Sequence, residues 1–209
     1  MTEDEAKQWL TDTFDVSRET WERLEAFVVF LKVEAGLQNL VSAATLDHIW
    51  ARHIVDSAQL LRFAPGDGDW LDLGSGAGFP GLIVPLLSGH RVILVESRAK
   101  RIDFLDRAIQ LLGMGNVAVV AGMPLERLET APYSVISARA FAPLPRLLDS
   151  AHRFSKDNTM WLLPKGRNAT HELHEANREW ILDFTVESSV TDGEAGILVG
   201  TVVGQKSPI

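Results

Sequence analysis

The stretch LDLGSGAGFPG, Leu71 to Gly81, sets four glycines, a proline and one carboxylate directly after an apolar run. Glycine admits positive φ and lets a ligand lie on bare backbone, so a loop this poor in side chains suits close approach. Two chemistries fit it. Gly76, Gly78 and Gly81 satisfy G-x-G-x-x-G, which cradles a dinucleotide pyrophosphate at a helix N-terminus. Counted from Asp72 through Gly74, Gly76 and Gly78, the same residues satisfy acidic-x-G-x-G-x-G, the loop of a nucleoside-binding methyltransferase. A pyrophosphate wants amide donors and no nearby carboxylate. The sulfonium and ammonium of S-adenosylmethionine suit Asp72. Pro80 suits a helix start, where its missing N–H costs nothing.

Other reactive positions follow the loop. Glu96 ends the run RVILVE, where a carboxylate accepts hydrogen bonds from ribose hydroxyls of either cofactor. Leu125 and Glu126, in GMPLERL, fall where groups around an adenine are expected, or simply at a helix start. SARAF, Ser137 to Phe141, ends a further run at the position facing a transferred methyl group and its acceptor. Amino-group methyltransferases carry Asn or Asp, then Pro-Pro and an aromatic there; Arg139-Ala140-Phe141 makes an exocyclic amine a poor target. Pyrimidine C5 chemistry usually needs a cysteine nucleophile, and the chain has none. An acceptor that is already nucleophilic remains. Guanine N7 has a free lone pair, and the Arg139 fork can reach the neighbouring O6.

Arg52, His53 and Asp56 stand three and four apart, on one helical face. An Arg52–Asp56 packing salt bridge is the plain reading; a face laid along the cofactor cleft is the functional one. Lys165 and Arg167 are candidates for RNA phosphates, or ordinary solvated loop cations. His48, His90, His152, His171 and His174 show no metal-ligand pattern, and no metal is expected.

These residues need a frame. Thr2 with Glu5 makes a capping box for a first helix from Glu3. Ser17 can cap a second, with Trp21, Leu24, Phe27, Val28 and Leu31 on one face and a stop at Gly36. A third continuous helix is expected from about Leu46 to Phe63, with Ile49, Trp50, Ile54, Ala58 and Leu61 together. After the turn APGDGD, strands WLDLG, RVILVE, VAVVAG, YSVISARA and TMWLLPKG alternate with helical segments, which implies a parallel sheet covered on both faces. ILDFTVESSV and AGILVGTVVG then read as an antiparallel hairpin. An α/β doubly wound sheet ending in such a hairpin is the class I S-adenosylmethionine-dependent methyltransferase layout. Dinucleotide enzymes usually continue with parallel strands. The division expected is a helical extension over residues 1–64 and a cofactor-binding core over 65–209.

The 209 residues suit one full core with a small extension. No apolar run approaches membrane-spanning length, and the acidic start MTEDEAKQWL is unlike a signal peptide, so a cytoplasmic location is the default. Net charge is -8, which argues against indiscriminate nucleic-acid binding. The cations nevertheless gather in the middle of the chain: Arg91, Arg98, Lys100, Arg101 and Arg107, then Arg139, Arg146, Arg153, Lys156, Lys165 and Arg167. A local basic face is possible on that distribution.

NLVS at Asn39, RHIVDS at Arg52, LDLGSGAGFPG, ESRAKRIDFL, SARAF and LLPKG occur in order from Asn39 to Gly166. Together they give a chain that resembles the RsmG (GidB) family of bacterial 16S ribosomal RNA guanine-N7 methyltransferases. The resemblance implies S-adenosylmethionine as donor, a guanine in the 530 loop of 16S ribosomal RNA as acceptor, and a helical N-terminal extension. It places cofactor contacts on Gly74, Phe79, Leu125, Glu126 and Arg139. Phe79 stands where many members have leucine. A monomer is expected. Two other classes compete: an NAD(P)-dependent oxidoreductase, disfavoured by Asp72 and the hairpin, and a non-catalytic S-adenosylmethionine-binding protein, disfavoured by the basic segment.

Overall fold

A computed structural model describes residues 1–207. Helices α1 (Glu3–Thr13) and α2 (Arg18–Ala35) begin as their sequences demand. The Thr2 hydroxyl accepts from Glu5 N–H and the Glu5 carboxylate accepts from Thr2 N–H. Ser17 caps α2, which ends at Gly36. A short α3 (Ala43–Leu46) follows.

The expected third helix is not continuous. It starts with a π-helical stretch, Trp50–Val55, passes through one α-turn, α4 (Asp56–Ala58), and closes as a 3₁₀ turn, Gln59–Arg62. Side chains compete for its backbone. The Ser57 hydroxyl donates to the His53 carbonyl at 2.6 Å, and Arg139 Nη1 donates to the Arg52 carbonyl at 3.3 Å. Such bonds loosen the regular ladder. The Glu3 carboxylate caps the other end, accepting from Trp50 N–H and Ala51 N–H at 3.1 and 3.0 Å. The apolar face survives: Ile49, Trp50, Ile54 and Ala58 are buried.

Then β1 (Asp69–Leu73), α5 (Ile83–Leu87), β2 (Arg91–Val95), α6 (Ala99–Leu111), β3 (Ala118–Ala121), β4 (Val135–Ala138), α7 (Leu144–Ala151), β5 (Met160–Gly166), α8 (Ala169–Ala176), β6 (Trp180–Ser188) and β7 (Gly196–Gln205) complete the chain. The seven strands run in the order β3-β2-β1-β4-β5-β7-β6. The first five are parallel, and β7 lies antiparallel between β5 and β6. Residues alternate across the sheet. Trp70, Val92, Leu94 and Val135 face α2, α5 and α6, in one apolar cluster with Leu24, Phe27 and Phe104. Leu71, Leu73, Ile136 and Trp161 face α7 and α8. Arg107 ties α6 to α2 through two bonds to Glu34, at 2.7 and 2.8 Å. No helix among the described residues is long and apolar enough to cross a membrane.

Strand order reverses between β1 and β4. Connections leave their carboxyl ends in opposite directions and open a crevice there, where open α/β sheets bind ligands.

Candidate active site

Two clefts meet at that crevice. The first, of about 320 Å³, lies over the carboxyl ends of β1, β2 and β3, between Gly74, Glu96, Arg98, Arg101, Leu125 and Glu126. Gly74, Gly76 and Gly78 all take positive φ, of 66°, 56° and 85°. Glu96 holds the loop. Its Oε2 accepts from Gly76 N–H at 3.2 Å, and its Oε1 accepts from Ser97 N–H and Arg98 N–H at 2.8 and 3.0 Å. A carboxylate offers roughly four lone-pair sites, so capacity remains for a ligand hydroxyl. A bare glycine floor, a strand-end carboxylate and apolar Leu125 fit a ribonucleoside. Four of the sequence-predicted cofactor residues therefore meet here: Gly74, Glu96, Leu125 and Glu126.

The others lie elsewhere. Asp72 is wholly buried and lines neither cleft. It is paired in register with Ser137 across β1 and β4. Trp70 Nε1 donates to Ser137 Oγ, which donates to Asp72 Oδ1, both at 2.7 Å. Asp72 Oδ2 has no hydrogen-bond partner among the described residues, and burial pushes its carboxyl pKa up. Asp72 can touch a bound cation only through space. Gly76 and Gly78 shape the turn without lining the first cleft. Phe79 is 3% exposed and packs toward the helices, edge-on to Phe27 and stacked on His53 at 4.9 Å. Its cofactor contact, implied by resemblance, has no counterpart in this geometry. Arg139 belongs to the other cleft.

That second cleft, of about 710 Å³, is lined by Arg52, His53, Asp56, Arg139, Lys165 and the 189–196 hairpin connection, among others. Arg139 is its centre. The guanidinium lies over the Phe79 ring at 5.0 Å, pairs with Asp56 at 3.6 Å and donates to His53 Nδ1 at 3.1 Å. Burial lowers its pKa and the Asp56 and Asp72 carboxylates oppose this; an arginine stays charged. Because a guanidinium only donates, His53 Nδ1 must accept. The ring proton then sits on Nε2, 3.0 Å from Thr45 Oγ1. Burial, helped by the Arg139 and Arg52 charges, pushes the His53 pKa down to about 3. His53 is a neutral orienting group.

The expected Arg52–Asp56 bridge does not form. Arg52 pairs with Asp192 at 3.4 Å. Asp56 accepts from Gln59 Nε2 and Thr191 Oγ1 at 2.9 and 3.1 Å, besides facing Arg139. Lys165 is not a free loop cation. Its side chain is 7% exposed, bridges Glu172 at 2.9 Å and donates to the Ala142 carbonyl at 2.7 Å. Arg167 is exposed, pairs with Glu194 and sits in a smaller recess outside the second cleft. The expected basic face is thus interrupted by carboxylates at Arg139, Lys165 and Arg167.

Sequence reasoning passed over Phe141, which lines both clefts. Its position after Arg139-Ala140, where other methyltransferases carry an aromatic, was the available signal. Asp192, Thr191 and Glu172 gave none, because their partners are remote in sequence.

Sheet order, glycine loop and paired clefts define a class: the fold is that of S-adenosylmethionine-dependent methyltransferases. The chain superposes on an O-methyltransferase from Bacillus cereus, solved in complex with SAH, with a TM-score of 0.59 at 15% identity, over 93% of this chain and 96% of that one. Cofactor-bound Rv0187 from MTB matches with a TM-score of 0.62 at 14% identity, over 87% and 89%. Sequence narrows the class. The family GidB, described as rRNA small subunit methyltransferase G, matches residues 20–198. A Ribosomal RNA small subunit methyltransferase G of Sphingopyxis alaskensis is 53% identical over 198 residues, covering 94% of this chain and 84% of its own length. One of Rhizorhabdus wittichii is 52% identical over 206 residues, covering 97% and 94%. The chain belongs to this family. That membership selects the methyl-donor reading of the glycine loop over the dinucleotide one.

Proposed function

We propose that this chain transfers a methyl group from S-adenosylmethionine to N7 of a guanine in the 530 loop of 16S ribosomal RNA, acting in the cytoplasm as a monomer. Family membership supports the RNA substrate. The observation that carries the choice of atom is that, among the described residues, the second cleft holds no free base. Both His53 nitrogens are engaged, Asp56 faces Arg139, Glu172 holds Lys165 and Asp192 holds Arg52. A cleft with every titratable group engaged suits a nucleophile with no proton to lose, and guanine N7 is one.

When bound, S-adenosylmethionine supplies an electrophilic methyl carbon on a sulfonium. The protein's own work is placement. Gly74 would border the donor, Glu96 would offer its remaining acceptor capacity to the ribose hydroxyls, and Leu125 and Glu126 would border the adenine. Arg139, held by Asp56, His53 and the Phe79 ring, offers its remaining N–H groups to guanine O6. N7 offers a lone pair and carries no proton, so none of the protein's groups would need to act as a base. No proton moves.

Single-turnover methylation of small-subunit RNA, with the product guanine mapped by mass spectrometry, tests this. A rate flat between about pH 6 and 8 is expected. A clear rise with pH would point to a base-dependent acceptor and remove the N7 assignment.

A further inference from the structure

We propose that Phe141 is the platform on which the target guanine stacks; this rests on the RNA reading above. Ala140 and Phe141 are the two residues that border both clefts. Phe141 is 39% exposed and is the only exposed phenylalanine, tryptophan or tyrosine among the described residues. Other phenylalanines near the crevice, Phe27, Phe79 and Phe104, are buried. An aromatic ring left open to water inside a ligand crevice is available to a ligand's flat face.

The backbone is bent to put it there. Ala140 has φ 53°, the only positive φ outside glycine among the described residues. A side chain raises the energy of that conformation, which persists where surrounding structure imposes it. It follows the last residue of β4 by two positions, so the chain turns sharply between Arg139 and Phe141. The ring also lies against the glycine loop: a Cβ on Gly74 would stand 2.5 Å from Phe141 Cδ2. Phe141 therefore touches the floor of the donor cleft while bordering the acceptor cleft.

The chemistry that fits is a purine extruded from its stack. Unstacked RNA bases are held on aromatic rings and read along their edges. A ring in this place fixes the plane of the guanine and leaves its edges free. The edge carrying N7 and O6 is then within the reach of Arg139, two residues earlier. Family membership alone assigns no such role to this side chain.

Three substitutions separate stacking from bulk. Phe141→Ala should lower kcat/KM for RNA about 30-fold, well beyond any loss of affinity for S-adenosylhomocysteine. Phe141→Tyr should recover the parent value within about threefold. Phe141→Leu, similar in volume but without a π face, should behave like Ala. Full recovery by Leu would overturn the proposal, as would a loss of S-adenosylhomocysteine affinity in step with the rate. A fourth variant reads stacking without turnover. Phe141→Trp adds an emitter to the crevice. Its extra fluorescence, taken as the difference from the parent, should be quenched by an oligonucleotide spanning the 530 loop. An oligonucleotide with an abasic nucleotide at the target position should leave it unquenched. Equal quenching by both would overturn the platform. Base-dependent quenching in a protein that methylates no guanine would uphold the platform and sink the N7 reading.

Discussion

The two clefts share a border but are built in opposite ways. The glycine loop of the donor cleft is held by near neighbours in sequence. Glu96, the side chain that holds it, is 20 residues from Gly76. Most of its bonds run to backbone amides, which any sequence provides once the turn forms. The acceptor cleft is assembled from distant side chains. Arg139 reaches His53 across 86 residues, Arg52 reaches Asp192 across 140, and Gln59 accepts from Val190 N–H across 131. On the proposed reading, a cofactor common to many enzymes would be met by a local motif, and a particular acceptor by pairings that only the whole fold creates.

The largest effects should come from one substitution in each cleft. At Gly74, valine meets positive φ and the Phe141 ring at once. Gly74→Val should abolish S-adenosylhomocysteine binding by calorimetry, and methylation with it. Arg139→Ala should leave that affinity within about threefold while cutting single-turnover methylation on the order of 10²–10³-fold, the cost of removing a preorganised donor. Arg139→Lys should recover it only partly, since the planar fork is lost. This sets geometry against resemblance, which puts Arg139 among the cofactor contacts. An equal loss of cofactor affinity in Arg139→Ala would merge the two clefts into one site.

The same contrast explains what the sequence disclosed. Glycines at Gly74, Gly76 and Gly78 and the alternation from β1 to β5 are local patterns, so the fold and the position of the glycine loop were legible. The hairpin of β6 and β7 was legible, because its strands are adjacent. Its insertion of β7 beside β5 was not, since no local signal encodes strand order. Asp72 was misread as a ligand contact because its type and spacing suit a cation. Its register opposite Ser137 turns it inward. Phe79 was carried over by position, yet its ring is claimed by Phe27, His53 and Arg139. The π-helical stretch was hidden because Ser57 and Arg139 bond to backbone carbonyls that a regular helix pairs with the N–H four residues on.

Lys165 and Arg167 look alike in sequence, and the fold separates them. Lys165→Met leaves the partly buried Glu172 without its cation. Breaking a fully buried pair costs about 3–5 kcal/mol. Glu172 keeps 20% of its side chain in water, so about 2 kcal/mol is expected here, read by urea denaturation. Arg167 is 74% exposed, and Arg167→Met should change stability by less than about 0.5 kcal/mol. RNA affinity should answer the other way. Loss of Arg167 should reduce the salt dependence by about one phosphate contact, while loss of Lys165 should leave the slope alone. Matching slopes in the two variants would mean that Lys165 leaves Glu172 for the RNA, and the acceptor cleft would be less fixed than its pairings suggest.

The smallest effect tests how firmly Arg139 is oriented. His53 is neutral in the folded chain, with its pKa held near 3 by burial and by Arg139 and Arg52. Unfolded, a histidine titrates near its ordinary value of about 6.5. Above that value both states are neutral and the contribution of His53 is fully present. As pH falls, the unfolded chain takes up a proton that the folded chain refuses, and stability is lost progressively down to pH about 3. Between pH 7 and 6 this amounts to about 0.7 kcal/mol. Asp72, whose pKa is raised by burial, works in the opposite sense, stabilising the fold as pH falls. The useful quantity is therefore the difference between the parent and His53→Asn, in which the Asp72 contribution cancels. The parent should lose urea stability faster on acidification from pH 7 to 6. Its methylation rate should stay flat over the same interval, because the orienting nitrogen remains unprotonated in the folded enzyme. Identical stability slopes in parent and variant would show that His53 takes up protons in the fold. The hydrogen bond to Arg139 would then fail in the same range, and the rate would have to fall with it.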